Sequence, residues 1–170
     1  MSKRNLRSFS VVRSPVLCLV GLLFSALPAL ADFSGKVIDV VDGDTITVWH
    51  KNRKEKVRLN GIYCPEKGQV FGKEAKRFTS FMVLRRDVTV KIVGKDKHGR
   101  KLGDVILPDG RVLNLELLKE GLAWWYRQHS TDQSLGELEE LARAEKRGLW
   151  ADPHPIPPWE WKKPRRQRKG

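Results

Sequence analysis

Cysteine is almost missing from this chain. Its 170 residues include two, Cys18 and Cys64, and Cys18 falls inside an N-terminal leader. The domain that follows keeps one thiol, so no internal disulfide is possible and the fold must rest on packing alone. A lone thiol is also a poor metal site. No His or Cys cluster joins it, so Cys64 reads as a small apolar filler. Long apolar runs are scarce too. The run at 16–27 is too short to cross a bilayer comfortably, and none follows it. There is no internal repeat.

Acidic residues are absent from both ends. At the start, Lys3, Arg4, Arg7 and Arg13 precede the apolar run, and Ala29-Leu30-Ala31 has the A-x-A form of a signal-peptidase site. This layout predicts a signal peptide over 1–31, cleaved after Ala31, and a secreted or periplasmic protein. Cys18 has no lipobox around it, which argues against a lipid anchor. The remaining 139 residues suit one domain with one core. At the other end, Lys162, Lys163, Arg165, Arg166, Arg168 and Lys169 follow Glu160 with no acid among them. They supply much of the formal charge of +13, which comes from 33 basic and 20 acidic residues. The Pro/Trp-rich stretch and basic tail at 152–170 carry no core pattern and read as extended or disordered. Such a tail suits polyanions, whether nucleic acid, anionic lipid or cell-wall polymer, or serves only as a solvated end.

Between the ends lies a short-strand pattern. Residues 33–41 and 45–49 are strand-like and flank Asp42-Gly43, a strong hairpin signal because glycine accepts the positive φ that the turn needs. A third strand is expected over 54–62, with Val57 and Leu59 on one face and Arg58 and Asn60 on the other. Phe71, Ala75, Phe78 and Met82 mark a helix. Strands follow at 87–93 and 102–107, the latter closed by Pro108-Asp109-Gly110. A short helix at 112–120 has Gly121 as its stop. A last helix runs from about 132 to 146, with Leu135, Leu138, Leu141 and Ala142 as its buried stripe and Gly148 ending it. Five strands and three helices in this order fit an α+β domain built on an OB-type barrel, though periodicity alone leaves other α+β arrangements open.

The polar residues of the turns suggest phosphodiester chemistry. A phosphodiester repels nucleophiles, so its hydrolysis needs positive charge on the non-bridging oxygens and a positioned water. Arg58 and Arg100 have the planar, always-charged fork that bonds two phosphate oxygens. Asp42 and Asp44 are hard oxygen donors of the kind calcium prefers. Taken singly, each has an ordinary reading: turn formers, a strand residue snorkelling to solvent, a helix-start carboxylate at Glu66, a polar loop at 96–100. Tyr126 belongs to an aromatic cluster with Trp124 and Trp125, of which at least one Trp should be core.

Together the motifs Asp42-Gly43-Asp44-Thr45, Arg58-Leu59-x-Gly61-Ile62-x-x-Pro65-Glu66 and Asp96-Lys97-x-Gly99-Arg100, followed by Asn114 and Gly121-Leu122-Ala123, strongly resemble the staphylococcal nuclease family. The resemblance covers about 33–150. It implies a five-stranded OB-fold barrel with three helices, over a domain at 32–151. It also implies calcium-dependent cleavage of DNA and RNA by a monomer, with single-stranded nucleic acid as partner. By position, Arg58 and Arg100 would stabilise the transition state and Glu66 would orient or activate the attacking water. Asp44 would bind calcium directly and Asp42 through water, with the main-chain carbonyl of Cys64 as a further ligand. Lys97 and His98 would meet a terminal phosphate, and Tyr126 would stack a base.

The departure is Tyr63, which stands where the family has a second calcium-binding aspartate. A neutral phenol is a poor calcium partner. The sequence therefore supports two readings: an active nuclease with weakened or altered metal dependence, or a catalytically impaired module that only binds nucleic acid. Retention of Glu66 beside two arginines favours the first, since a carboxylate repels phosphate and a binding module has no use for it.

Overall fold

The computed structural model describes residues 31–162. The signal peptide expected over 1–31 lies outside those residues except for Ala31, as does the basic tail beyond Lys162. Five strands close a barrel in the order β1-β2-β3-β6-β5. They are β1 (Phe33–Asp42), β2 (Thr45–His50), β3 (Arg53–Leu59), β5 (Asp87–Lys95) and β6 (Lys101–Ile106), and β4 (Ile62–Tyr63) pairs outside the barrel with β7 (Trp124–Trp125). The helices are α1 (Gly72–Val83), α2 (Leu113–Lys119), α3 (Gln133–Ala144) and α4 (Pro158–Trp161), with a 3-10 turn at Gly148–Ala151. The barrel and three helices expected from the sequence are therefore present.

The barrel closes through parallel pairing of β3 with β6, where Arg58 lies opposite Leu102. Inward-facing Val37, Val40, Ile46, Val48, Val57, Leu59, Val90 and Val105 fill it. Asn114 secures this seam from α2. Its Oδ1 accepts from Val105 N at 3.1 Å, and its Nδ2 donates to Asn60 O at 2.9 Å and to Asp104 Oδ1 at 3.0 Å. Replacing Asn114 by alanine leaves these buried groups unpaired and is expected to cost about 2 kcal/mol, which urea unfolding will read.

Several local expectations need correction. Gly43 is not required by a positive φ, since it is absent from the positive-φ positions. A Cβ there would lie 2.7 Å from both Ala75 Cβ and Cys64 Cβ, so close packing of the turn against α1 demands glycine. Lys146 (φ 54°) takes the left-handed position directly after α3, two residues ahead of Gly148, which is itself left-handed at φ 50°. The N–H of Lys146 bonds Arg143 O and that of Arg147 bonds Ala142 O, which makes a Schellman motif. On α3, Leu141 is 52% exposed while Glu139 is fully buried. The Glu139 carboxylate accepts from Arg127 at 3.0 Å and Arg143 at 2.7 Å, so a satisfied charge occupies a place the apolar stripe would have claimed. Both Trp124 and Trp125 are core.

The stretch after Asp152 also departs from the extended or disordered reading as far as Lys162. It holds the one-turn helix α4, with Pro158 at its start and buried. Trp159 joins a second cluster formed by Trp124, Ala142, Leu149 and Trp150. Proline fixes φ at the first helical position, which favours this turn, and the aromatic cluster gives Trp159 a surface to pack on.

Candidate active site

The site forms where the β1–β2 turn, the end of β3 and the β4 segment meet. The Asp42-Gly43-Asp44 turn is pinned from α1, whose Thr79 Oγ1 donates to Gly43 O at 2.6 Å. Asp42 Oδ1 accepts the Asp44 N–H at 3.2 Å. Asp44 is buried and accepts from Thr45 Oγ1 at 3.1 Å and Cys64 N at 2.7 Å. Its Oδ2 touches Arg58 Nη1. Arg58 is buried as well, so it does not snorkel to solvent. It faces Thr45 across the β2–β3 ladder, which brings it beside the turn.

The contact between Arg58 Nη1 and Asp44 lies off the hydrogen-bond axis, leaving that nitrogen buried without a linear acceptor. No other protein group among the described residues accepts from Arg58. Its guanidinium lies 4.5 Å from the Tyr63 ring centroid. Desolvation pushes the Asp44 carboxyl up to about 7, with Arg58 pulling it back and Asp42 pushing it further. Cys64 is buried, and burial with the neighbouring Asp44 pushes its thiol well above the usual range, which suits the inert filler read from the sequence.

Glu66 sits one turn ahead of α1. Its N–H donates to Gln69 Oε1 at 3.0 Å and its carbonyl accepts from Gln69 N at 2.9 Å. Gly72 passes so close that a Cβ there would clash with Glu66 O. The Glu66 carboxylate is about a third exposed, and Lys162 Nζ lies 2.7 Å from its Oε1. The other oxygen has no protein partner among the described residues. Lys162 Nζ also donates to Tyr63 Oη at 2.8 Å.

Tyr63 stacks on Tyr126 with centroids 5.3 Å apart, and Tyr126 stacks on Trp159 at 5.6 Å. These rings make a continuous aromatic wall beside the carboxylates. Tyr126 is held by its N–H, which donates to Gly61 O at 2.8 Å.

Asp42, Asp44, Arg58, Tyr63, Cys64, Glu66 and Tyr126 are therefore linked through direct contacts or through Lys162. Among the described residues no hydrogen bond, ion pair or ring contact joins Arg100 to them. It lies two positions before Leu102, the register partner of Arg58, and its Nε donates to Asp96 Oδ2 at 2.6 Å. The Asp96 carboxyl is held below its usual value: desolvation raises it, but hydrogen bonds from Arg100 and His98 outweigh that. Lys97 and His98 are exposed on the same turn, and His98 and Arg100 line a mostly basic recess with Lys54, Lys56, Lys95 and Lys101. Among the described residues no group of three or more His, Cys, Asp or Glu is arranged to hold a metal ion. Lys162 and Trp159 are the site residues that sequence reasoning missed. The single hint was an aromatic pair in a stretch without core periodicity.

A family profile described as "Staphylococcal nuclease homologue" matches residues 56–152. Among individual proteins, an "Uncharacterized endonuclease" of Escherichia coli O157:H7 is 41% identical over 85% of this chain and 94% of its own length. A protein named "Micrococcal nuclease" from Shigella flexneri is 38% identical over 84% of this chain and 87% of its own. "Protein ParB" of Escherichia coli is 37% identical over 96% of this chain and 97% of its own.

Proposed function

Since the chain belongs to the staphylococcal nuclease family, we propose that it is a secreted, metal-assisted nuclease that hydrolyses phosphodiester bonds of single-stranded or breathing DNA and RNA. The observation that carries this reading is the buried Asp44–Arg58 pair, with unsatisfied guanidinium donors, beside a Glu66 oxygen left open to water. A site built only to bind a polyanion gains nothing from three carboxylates.

In this reading the scissile phosphate lies against Arg58. The guanidinium is fixed by Asp44 and by the Tyr63 ring, so its remaining N–H groups are aimed before substrate arrives. Glu66 accepts a hydrogen bond from water through its open oxygen and directs the lone pair at phosphorus. Arg100, whose terminal nitrogens have no protein acceptor among the described residues, supplies a second cation to the phosphoryl oxygens. Tyr126 offers a ring face to a base, and Lys97 and His98 offer positive charge to a neighbouring phosphate.

The donor set fits a hard divalent cation, of which calcium is the family's choice. Asp42 and Asp44 are adjacent hard oxygen donors at one turn, and the Asp42 carboxylate already meets the Asp44 N–H there. Asp42, Asp44 and the Cys64 carbonyl would hold it, and it would supply charge to the phosphate oxygens. With Tyr63 in place of a carboxylate, more of its shell falls to water.

The test is digestion of denatured DNA by the purified chain with calcium and then with EDTA. Intact DNA across several divalent metals would remove the enzyme reading. The Tyr63→Asp variant is expected to reach half-maximal activity at a calcium concentration about tenfold lower or more, because ligand charge sets calcium affinity. An unchanged calcium requirement would show that position 63 does not face the metal. A binding-only module is favoured by one observation, the Lys162 ammonium on Glu66. That alternative predicts salt-sensitive retention of DNA with no turnover to lose.

A further inference from the structure

Two features of the C-terminal segment aim it at the site. It is tied to the Glu66 turn by Gln69, whose Nε2 donates to Ile156 O at 2.5 Å. It is also anchored by Trp159, which meets Trp124 edge-on at 5.7 Å, stacks on Tyr126 at 5.6 Å and lies 6.2 Å from Tyr63. Between these anchors, α4 turns the chain so that Lys162 reaches back over Tyr63.

An ammonium group has three donors. Two are spent, one on Glu66 Oε1 and one on Tyr63 Oη. The third has no protein acceptor among the described residues, and the side chain is 56% exposed. The phenol oxygen accepts from Lys162, so its own proton stays available to donate. The charge arithmetic is equally specific. Asp42, Asp44 and Glu66 against Arg58 and Lys162 leave one net negative charge. An aspartate at 63 with no lysine would leave three. The phenol and the ammonium together shift the site by two charges toward accepting an anion.

We propose that Lys162, delivered by the Trp159 anchor, is a further phosphodiester-binding residue of this site, standing with Tyr63 at the corner where the family pattern has a metal-binding aspartate. This rests on the nuclease reading for the identity of its ligand. The same contact could instead describe a strap that blocks the site. The structure favours a built-in part: Pro158 is buried, Trp159 is packed into an aromatic cluster, and one oxygen of Glu66 remains open.

The experiment compares the full chain with Lys162→Met and Lys162→Arg. The probe is a short single-stranded oligothymidylate, with binding followed by tryptophan fluorescence in chelator across a salt series. Lys162→Met is expected to bind several-fold more weakly. Its slope of log affinity against log salt should be shallower by about 0.7, the increment of one single-strand phosphate contact. Lys162→Arg should recover most of both. On the cleavage side, Lys162→Met should raise KM more than it lowers kcat. Unchanged affinity and slope in Lys162→Met would overturn the proposal. So would tighter binding with faster cleavage, which is the signature of a blocking strap. Because the binding arm needs no turnover, a wild-type chain that binds with the expected slope but never cleaves would sink the nuclease reading and leave the phosphate contact standing.

Discussion

Glu66→Gln is expected to lower kcat on denatured DNA by about 100- to 1000-fold while leaving oligonucleotide affinity equal or slightly better. The asymmetry follows from what the carboxylate touches. Lys162 holds Oε1, and among the described residues nothing holds the other oxygen. Glutamine keeps a single acceptor, and the ammonium group claims it. The amide nitrogen then faces the water, where it donates rather than accepts, and the lone pair is no longer steered toward phosphorus. Binding loses nothing, because a negative charge beside a phosphate has been removed. Stability should move little, since Glu66 is about a third exposed and its partner more than half, and ion pairs of that kind contribute about 0–1 kcal/mol. Steady-state kinetics, fluorescence binding and a melting curve on one preparation separate these effects. If turnover survives intact, Glu66 does not orient the water and the binding-only module becomes the better account.

The parts of this molecule that were legible in the sequence are those governed by near neighbours. Strand alternation, the Phe71, Ala75, Phe78 and Met82 spacing and the turn residues placed the barrel and its helices within a few positions. The phosphate- and metal-type residues were legible only as a set, because each alone is an ordinary turn or strand residue. What escaped depended on distant partners. Gly43 is needed because Ala75 and Cys64 approach it, not because of its own φ. Glu139 is buried because Arg127 and Arg143 converge on it. The reach of Lys162 to Glu66 spans 96 residues of sequence and depends on where Trp159 docks. Arg100 shows the converse. The motif names it, yet its side chain is bonded to Asp96 four residues away, so it is a local turn contact that sets its position.

Arg58→Met is expected to fail twice, in activity and in stability, which separates it from Glu66→Gln. Removing one partner of a buried ion pair strands the other, a loss of about 3–5 kcal/mol. Here the stranded group is Asp44, nearly inaccessible and already pushed up to about 7 with the arginine present. Methionine fills the aliphatic space but offers no charge to Asp44 and no cation beneath the Tyr63 ring. The loss should depend on pH in a definite sense. A carboxyl whose folded value is raised stabilises the fold fully below its unfolded value of 3.8, and that contribution fades as pH climbs through about 7. Without Arg58 the folded value rises further, because its pull on Asp44 is lost. At pH 5 the variant can protonate Asp44 and recover part of the deficit. At pH 8 it must bury a bare charge or pay to protonate it. Denaturant unfolding of both proteins at pH 5 and pH 8, in chelator, should therefore show a gap that widens with pH. The double variant Arg58→Met with Asp44→Asn removes both charges, and should regain much of the stability at pH 8 while staying inactive. A gap of equal size at both pH values would mean that Asp44 remains charged throughout, and that Arg58 packs against it without setting its ionisation.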